Sequence, residues 1–126
     1  MTERPDLGTW AVQADRQLGG LLAAAAELAT AFREGSLEAG LEAAGIVVET
    51  TSDALGWMAG HPCPSRTAGA ELTAAIRVQR NAAFAYRGLA AVEDPDDLIV
   101  EACAGMLSQG SDHLRQYRAK VDGGGA

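Results

Sequence analysis

Cysteine is scarce in this 126-residue chain, which has only Cys63 and Cys103. Two cysteines are too few for the disulfide frameworks that hold small secreted proteins together, and free thiols are typical of a reducing compartment. The first residues, Met1–Asp6, lack the basic region that opens a secretory signal peptide. We therefore expect a cytoplasmic protein.

Basic residues are also in the minority, with ten lysines and arginines against seventeen aspartates and glutamates, which gives a net charge of −7. An excess of negative charge disfavours binding to nucleic acids and to anionic membrane surfaces. Long hydrophobic runs are missing as well. The apolar stretch Leu18–Phe32 is interrupted by Glu27 and is shorter than the ~20 residues that a bilayer span requires. The sequence thus predicts a soluble protein without nucleic-acid or membrane partners.

Proline occurs only four times, and two of the four prolines lie in the segment Gly60–Ser65 at the middle of the chain. Each proline lacks a backbone N–H and biases the preceding residue towards extended geometry, so this segment cannot continue a helix. The residues on both sides have helical periodicity, and each side is interrupted by one short turn, at Gly35–Ser36 and at Glu93–Asp96. The pattern predicts two αα-hairpins joined by a rigid connector.

Alanine is abundant, with 26 residues, and it is both the best helix former and small enough to let helices approach closely. Apolar residues recur at alternating spacings of three and four. Ser36 and Ser65 are suited to cap the second and third helices. The pattern predicts helices over residues 7–33, 37–59, 66–92 and 97–121, followed by a glycine-rich tail at 122–126.

Four helices of similar length joined by short turns predict an all-α, up-down-up-down antiparallel four-helix bundle built from two αα-hairpins, a single domain over residues 1–126. A dimer in which two chains complete the bundle has the same sequence pattern and stays open as an alternative. In the antiparallel register, acids of the second helix face arginines of the third on flanking positions. This predicts the ion pairs Glu42–Arg87 and Glu49–Arg80, each worth about 0–1 kcal/mol.

The residue sets that common cofactors of helical bundles need are incomplete. Di-iron sites use Glu-x-x-His pairs, which do not occur here, and haem attachment through Cys-x-x-Cys-His is also missing. His61 and Cys63 would supply only two ligands to zinc. No nucleophile-and-base set, phosphate-binding loop or dinucleotide motif is present. The sequence favours a protein without a cofactor, a metal or an enzymatic activity.

In its small size, acidity and alanine-rich helices the chain is similar to the ESX-type secreted helical hairpins, which carry a Trp-x-Gly turn and a C-terminal Tyr-x-x-x-Asp/Glu. Here Trp57 is followed by Met58 and Ala59, and Tyr117 has Val121 at the fourth place. Because both motifs differ, the sequence assigns the chain to no family.

Counting residues from the turns places four small or polar residues, Gly20, Thr51, Gln79 and Gly110, at one level of the bundle core. Gln17 and His113 flank the core one layer lower. A buried amide needs hydrogen-bond partners, so this level is either a polar layer that fixes the register or a polar cavity. As a cavity it would bind a small molecule through Gln17, Thr51, Gln79 and His113.

Five apolar residues fall outside the predicted core positions, namely Val12, Leu22, Ile46, Trp57 and Phe84. Single exposed hydrophobic residues are common, and Trp57 would also fit a position folded back over the connector. As a group they favour a non-catalytic protein that forms a homodimer or docks to a protein partner, with Trp57, Phe84 and Ile46 as contact residues. The alternative function is small-molecule binding in the polar mid-bundle cavity.

Overall fold

The computed structural model describes residues 6–34, 37–91 and 97–123. These residues form five helices and no strand: α1 (Leu7–Gln17), α2 (Leu21–Glu34), α3 (Leu37–Gly60), α4 (Arg66–Ala90) and α5 (Asp97–Asp122). The predicted all-α class is confirmed. The predicted cap Ser36, the turn at 93–96 and the tail from residue 124 lie outside the described residues. None of the helices in the described part of the chain has the length and apolar character that a membrane crossing requires.

The unbroken first helix predicted over 7–33 is wrong, because the chain leaves the α-helical path at Leu18 and resumes it at Leu21. The Leu18 N–H still donates to the Ala14 carbonyl at 3.1 Å, but the Leu21 N–H donates to the Leu18 carbonyl at 2.9 Å, a tighter turn. The pair Gly19–Gly20 accounts for the break, since each glycine costs a helix interior about 0.8–1 kcal/mol. The segment predicted as one helix is therefore two helices, α1 and α2.

Side-chain caps fix the start of two helices. The Asp6 carboxylate accepts the Thr9 backbone N–H at 2.7 Å ahead of α1, and this hydrogen bond lowers the pKa of Asp6 below its usual value. The Ser65 hydroxyl accepts the Ala68 N–H at 3.2 Å ahead of α4. Ser65 has extended backbone angles, as an N-cap residue should, so its predicted role is confirmed.

Neighbours in sequence are neighbours in space: α2 packs along α3, α3 along α4, and α4 most extensively along α5. The contacts of α5 with α1 and with α2 are far less extensive than these. The seam between α5 and the pair α1 and α2 is therefore looser than the seams that join α2 to α3, α3 to α4 and α4 to α5. The large aliphatic and aromatic side chains that are fully enclosed are Trp10, Leu21, Leu28, Val47, Leu72, Ile76 and Tyr117.

Glycine allows the closest approach between α3 and α4. Tyr86 lies directly over Gly40, where a β-carbon would overlap the phenol ring. Phe32 packs against the same ring, with the two ring centroids 4.9 Å apart in an edge-on arrangement. A side chain on Gly40 would therefore have to displace a buried aromatic pair.

The adjacency of α3 and α4 agrees with the sequence interpretation, but neither Glu42–Arg87 nor Glu49–Arg80 is among the ion pairs that the described residues form. The Arg87 guanidinium instead lies over α3 near Gly45, 3.4 Å from where a β-carbon would stand. The Arg80 guanidinium lies over the Phe84 ring, 5.4 Å from its centroid. An exposed ion pair contributes so little that packing on an aromatic ring or on backbone competes with it.

Candidate functional site

The predicted polar layer is built around Gln79, which is buried on α4 with 1% of its surface exposed. Its side chain fills the space beside Gly110 of α5, since a β-carbon on Gly110 would stand 2.6 Å from Gln79 Cγ. The Gln79 Oε1 atom accepts no hydrogen bond from any described residue. Counting residues from the turns thus placed Gln79 at the level of Gly110, as the structure has it. The amide oxygen of Gln79 is left without a hydrogen-bond donor among the described residues.

Thr51 is fully buried as well, but its hydroxyl is already used within α3. It donates to the Val47 carbonyl at 2.6 Å and lies 3.0 Å from the Val48 carbonyl. The Thr51 hydroxyl proton is therefore not available to the Gln79 oxygen. Gly20 lies against α3 at Thr50, where a β-carbon would stand 3.7 Å from the Thr50 hydroxyl oxygen.

His113 and Gln17 occupy separate places. The His113 Nδ1–H donates to the Glu71 carboxylate at 2.7 Å across the α4–α5 interface, and both side chains are partly exposed. Gln17 is the last residue of α1 and is half-buried. No hydrogen bond among the described residues joins Gln17, Thr51, Gln79 and His113 to one another, so their shared role in binding stays a prediction.

Replacing the unsatisfied amide by an apolar group should stabilise the protein. Gln79→Leu is expected to raise the free energy of unfolding by about 1–2 kcal/mol, because a buried oxygen without a donor is removed while the volume is retained. Urea denaturation followed by circular dichroism measures the change. Gln109→Leu, at an exposed position of α5, is the control and should stay within about 0.5 kcal/mol of the parent protein. A loss of stability in Gln79→Leu would show that the amide is satisfied in solution.

A cleft that the sequence did not predict lies between the α1–α2 break and the last turns of α5, with a volume of about 560 Å³. Its apolar walls come from both sides, and four charged residues stand among them. The apolar lining is formed by Leu18, Leu21, Leu22, Leu114, Tyr117 and Ala119, and the charged lining by Asp15, Arg115, Arg118 and Asp122.

The strongest electrostatic contact in the cleft joins Asp15 of α1 to Arg118 of α5. The guanidinium donates to both carboxylate oxygens, at 2.6 Å and 3.1 Å. This hydrogen bonding raises the pKa of Arg118 above its ordinary value. Both side chains are partly exposed, so the bidentate pair contributes modestly to stability while it fixes α1 relative to α5.

Tyr117 forms part of the cleft wall, yet its side chain is fully buried and its hydroxyl has no hydrogen-bond partner among the described residues. Burial, with a further contribution from the negative charge of Asp15, raises the pKa of Tyr117 to about 12. The phenol is therefore neutral at physiological pH. The Arg118 guanidinium lies 5.7 Å from the centre of its ring.

The three predicted partner-binding residues differ in exposure. Phe84 and Ile46 are 45% and 39% exposed. Trp57 is only half-exposed, because it stacks on His61 with ring centroids 4.7 Å apart and contacts Trp10 at 5.4 Å. This arrangement agrees with the simpler interpretation that Trp57 folds over the connector.

Potential metal ligands are scattered. Across residues 6–34, 37–91 and 97–123, no three His, Cys, Asp or Glu side chains come together in a way that could hold a metal ion. The burial of Cys63 raises the pKa of its thiol, so this group is a poor nucleophile at neutral pH.

No family model, no curated protein and no solved structure matches the chain.

Proposed function

We propose that this chain is a non-catalytic protein that acts by association, and that its partner is a second copy of itself. The observation that carries the proposal is a set of large apolar side chains that remain 39–45% exposed on α3 and α4. These side chains are Leu41, Ile46 and Phe84.

Leu41, Ile46 and Phe84, which we name the α3–α4 face, are the best candidates for the contact. Leu41 lies one turn before Gly45 on α3, and Phe84 lies one turn before Arg87 on α4. The contact of Arg87 with Gly45 shows that α3 and α4 pack together within about one turn of these side chains. Isolated exposed hydrophobic residues are ordinary, but several within a few turns on two packed helices support an interaction surface.

The proposal includes a complete bundle within each chain. Packing of α2 on α3, α3 on α4 and α4 on α5 supports an up-down-up-down four-helix arrangement in which α1 and α2 together form the first helix. In this arrangement the two copies would meet through their surfaces and would not exchange hairpins. The two free cysteines support a cytoplasmic location.

Light scattering coupled to size-exclusion chromatography tests the proposal. The parent protein is expected to be a dimer at tens of micromolar concentration, and Phe84→Asp is expected to weaken the dimer at least tenfold by placing a charge in the contact. The Phe84→Asp carboxylate can pair with Arg80 one turn away, so the fold should be retained.

Val12→Asp is the matched control, since Val12 is 57% exposed and lies on α1, away from the α3–α4 face. It should leave the dimer intact. A parent protein that stays monomeric at every accessible concentration would refute self-association, and equal weakening by both variants would place the contact elsewhere.

Small-molecule binding is the second candidate function. The buried Gln79 side chain occupies the space beside Gly110, so the mid-bundle layer is not the favoured location. The cleft of about 560 Å³ at the α2–α5 seam is the observation that supports binding of a ligand.

A further inference from the structure

We infer that the cleft between the α1–α2 break and α5 is a binding site for a small, mainly apolar molecule without negative charge. The site is separate from the α3–α4 face, and it does not depend on whether the protein forms a dimer.

The first argument is size and lining. A volume of about 560 Å³ falls within the range of roughly 300–1,000 Å³ that is usual for small-molecule sites. Leu18, Leu21 and Leu22 supply one wall, and Leu114 on α5 supplies the other. Leucines on opposite walls can cover an apolar ligand from two sides, which a flat exposed patch cannot do.

The second argument is that contacts within the protein hold the walls of the cleft. Its walls come from α5 on one side and from α1 and α2 on the other, where helix packing is sparse. The pair Asp15–Arg118 ties α1 to α5 by a bidentate contact beside the cleft. A site whose walls are held by such contacts loses less conformational entropy on binding than one that must be ordered by its ligand.

The third argument concerns charge and disfavours an anion. The lining has two acids and two arginines, so its formal charges cancel. Asp15 and Arg118 satisfy each other, and Arg115 is paired with Asp112 on the same helix, so Asp122 is the one charged lining residue outside the ion pairs of the described residues. An anion entering the cleft would lose hydration without gaining an unpaired cationic partner. A neutral molecule bears no such cost, and its apolar surface matches the leucines.

The test uses N-phenyl-1-naphthylamine, a neutral apolar fluorophore, titrated against the full-length protein. Saturable binding with a stoichiometry of one per chain is expected. Leu22→Asp should weaken it at least tenfold, because a charge then stands in the apolar wall. Val12→Asp is closely matched, since the two side chains are 58% and 57% exposed but Val12 does not line the cleft. It should change the affinity less than twofold.

Two further measurements test whether the probe occupies the cleft and whether a negative charge weakens its binding. Ala119→Trp fills the cleft from α5 without adding charge, and it should also weaken binding at least tenfold. The anionic probe 8-anilinonaphthalene-1-sulfonate should bind at least fivefold more weakly than the neutral probe. Circular dichroism confirms that each variant is folded.

Several outcomes would overturn the inference: no saturable binding to the parent protein, equal weakening by Leu22→Asp and Val12→Asp, or tighter binding of the anionic probe. Light scattering on the same samples keeps the two proposals distinguishable. A monomer that binds the probe through Leu22 refutes self-association alone, and a dimer without probe binding refutes the cleft alone.

Discussion

Gly40→Ala is expected to lower the free energy of unfolding by about 1–3 kcal/mol, the usual range for overpacking a core. In an ordinary helix interior the same change would stabilise by about 0.8–1 kcal/mol. Here the added methyl group would overlap the Tyr86 ring, and moving that ring would disturb its edge-on packing with Phe32. The clash therefore outweighs the gain in helix propensity.

Gly56→Ala is the matched control in the same helix, because a β-carbon on Gly56 would meet nothing within 4 Å in the described structure. It should stabilise the protein by about 0.5–1 kcal/mol. Urea denaturation of both variants gives the comparison. Similar stabilisation by the two substitutions would mean that Tyr86 does not lie over Gly40 in solution.

Trp10→Ala is expected to lower the free energy of unfolding by about 3–5 kcal/mol, the range for removing a large buried aromatic residue. Trp10 is fully buried, and its indole Nε1–H donates to the His61 carbonyl at 2.7 Å. It also packs against Trp57, so it joins α1 to the connector and to the end of α3. Its loss should release α1 before the other helices, because Gly19–Gly20 separates α1 from α2.

Amide hydrogen exchange resolved by residue distinguishes local release from uniform destabilisation. Trp10→Phe keeps most of the apolar ring and removes the hydrogen bond, so a smaller loss of about 1–2 kcal/mol is expected. If protection of α1 amides in Trp10→Ala falls no further than that of α4 amides, the independent release of α1 is wrong.

The helix ends could be read from the sequence because their signals are local. Two prolines end α3 and Ser65 starts α4, and neither signal depends on the rest of the fold. The break between α1 and α2 has a local signal too, the pair Gly19–Gly20. The chain holds fifteen glycines, however, and most of those predicted to be helical are tolerated within a helix. What marks Gly19–Gly20 as a break is that two adjacent glycines double the free-energy cost of continuing the helix.

The candidate sites were partly predictable for a similar reason. All helices rise equally per residue, so counting from the turns set Gln79 against Gly110. Counting does not give the direction of a side chain. It therefore could not predict that Thr51 bonds within its own helix or that Arg80 lies over Phe84. The cleft depends on how far α5 stands from α2, and that spacing results from packing of the whole chain.

The contacts that hold α1 also determine when it can fold during synthesis. His61 follows its partner Trp10 by 51 residues, and Arg118 follows Asp15 by 103 residues. At synthesis rates of roughly 5–20 residues per second, these partners are made about 3–10 s and about 5–20 s after α1 itself. Over this interval the Trp10 side chain has neither its hydrogen-bond acceptor nor its aromatic neighbour. In the nascent chain, the Trp10 side chain of α1 is thus expected to stay exposed until α3 and the connector have been made.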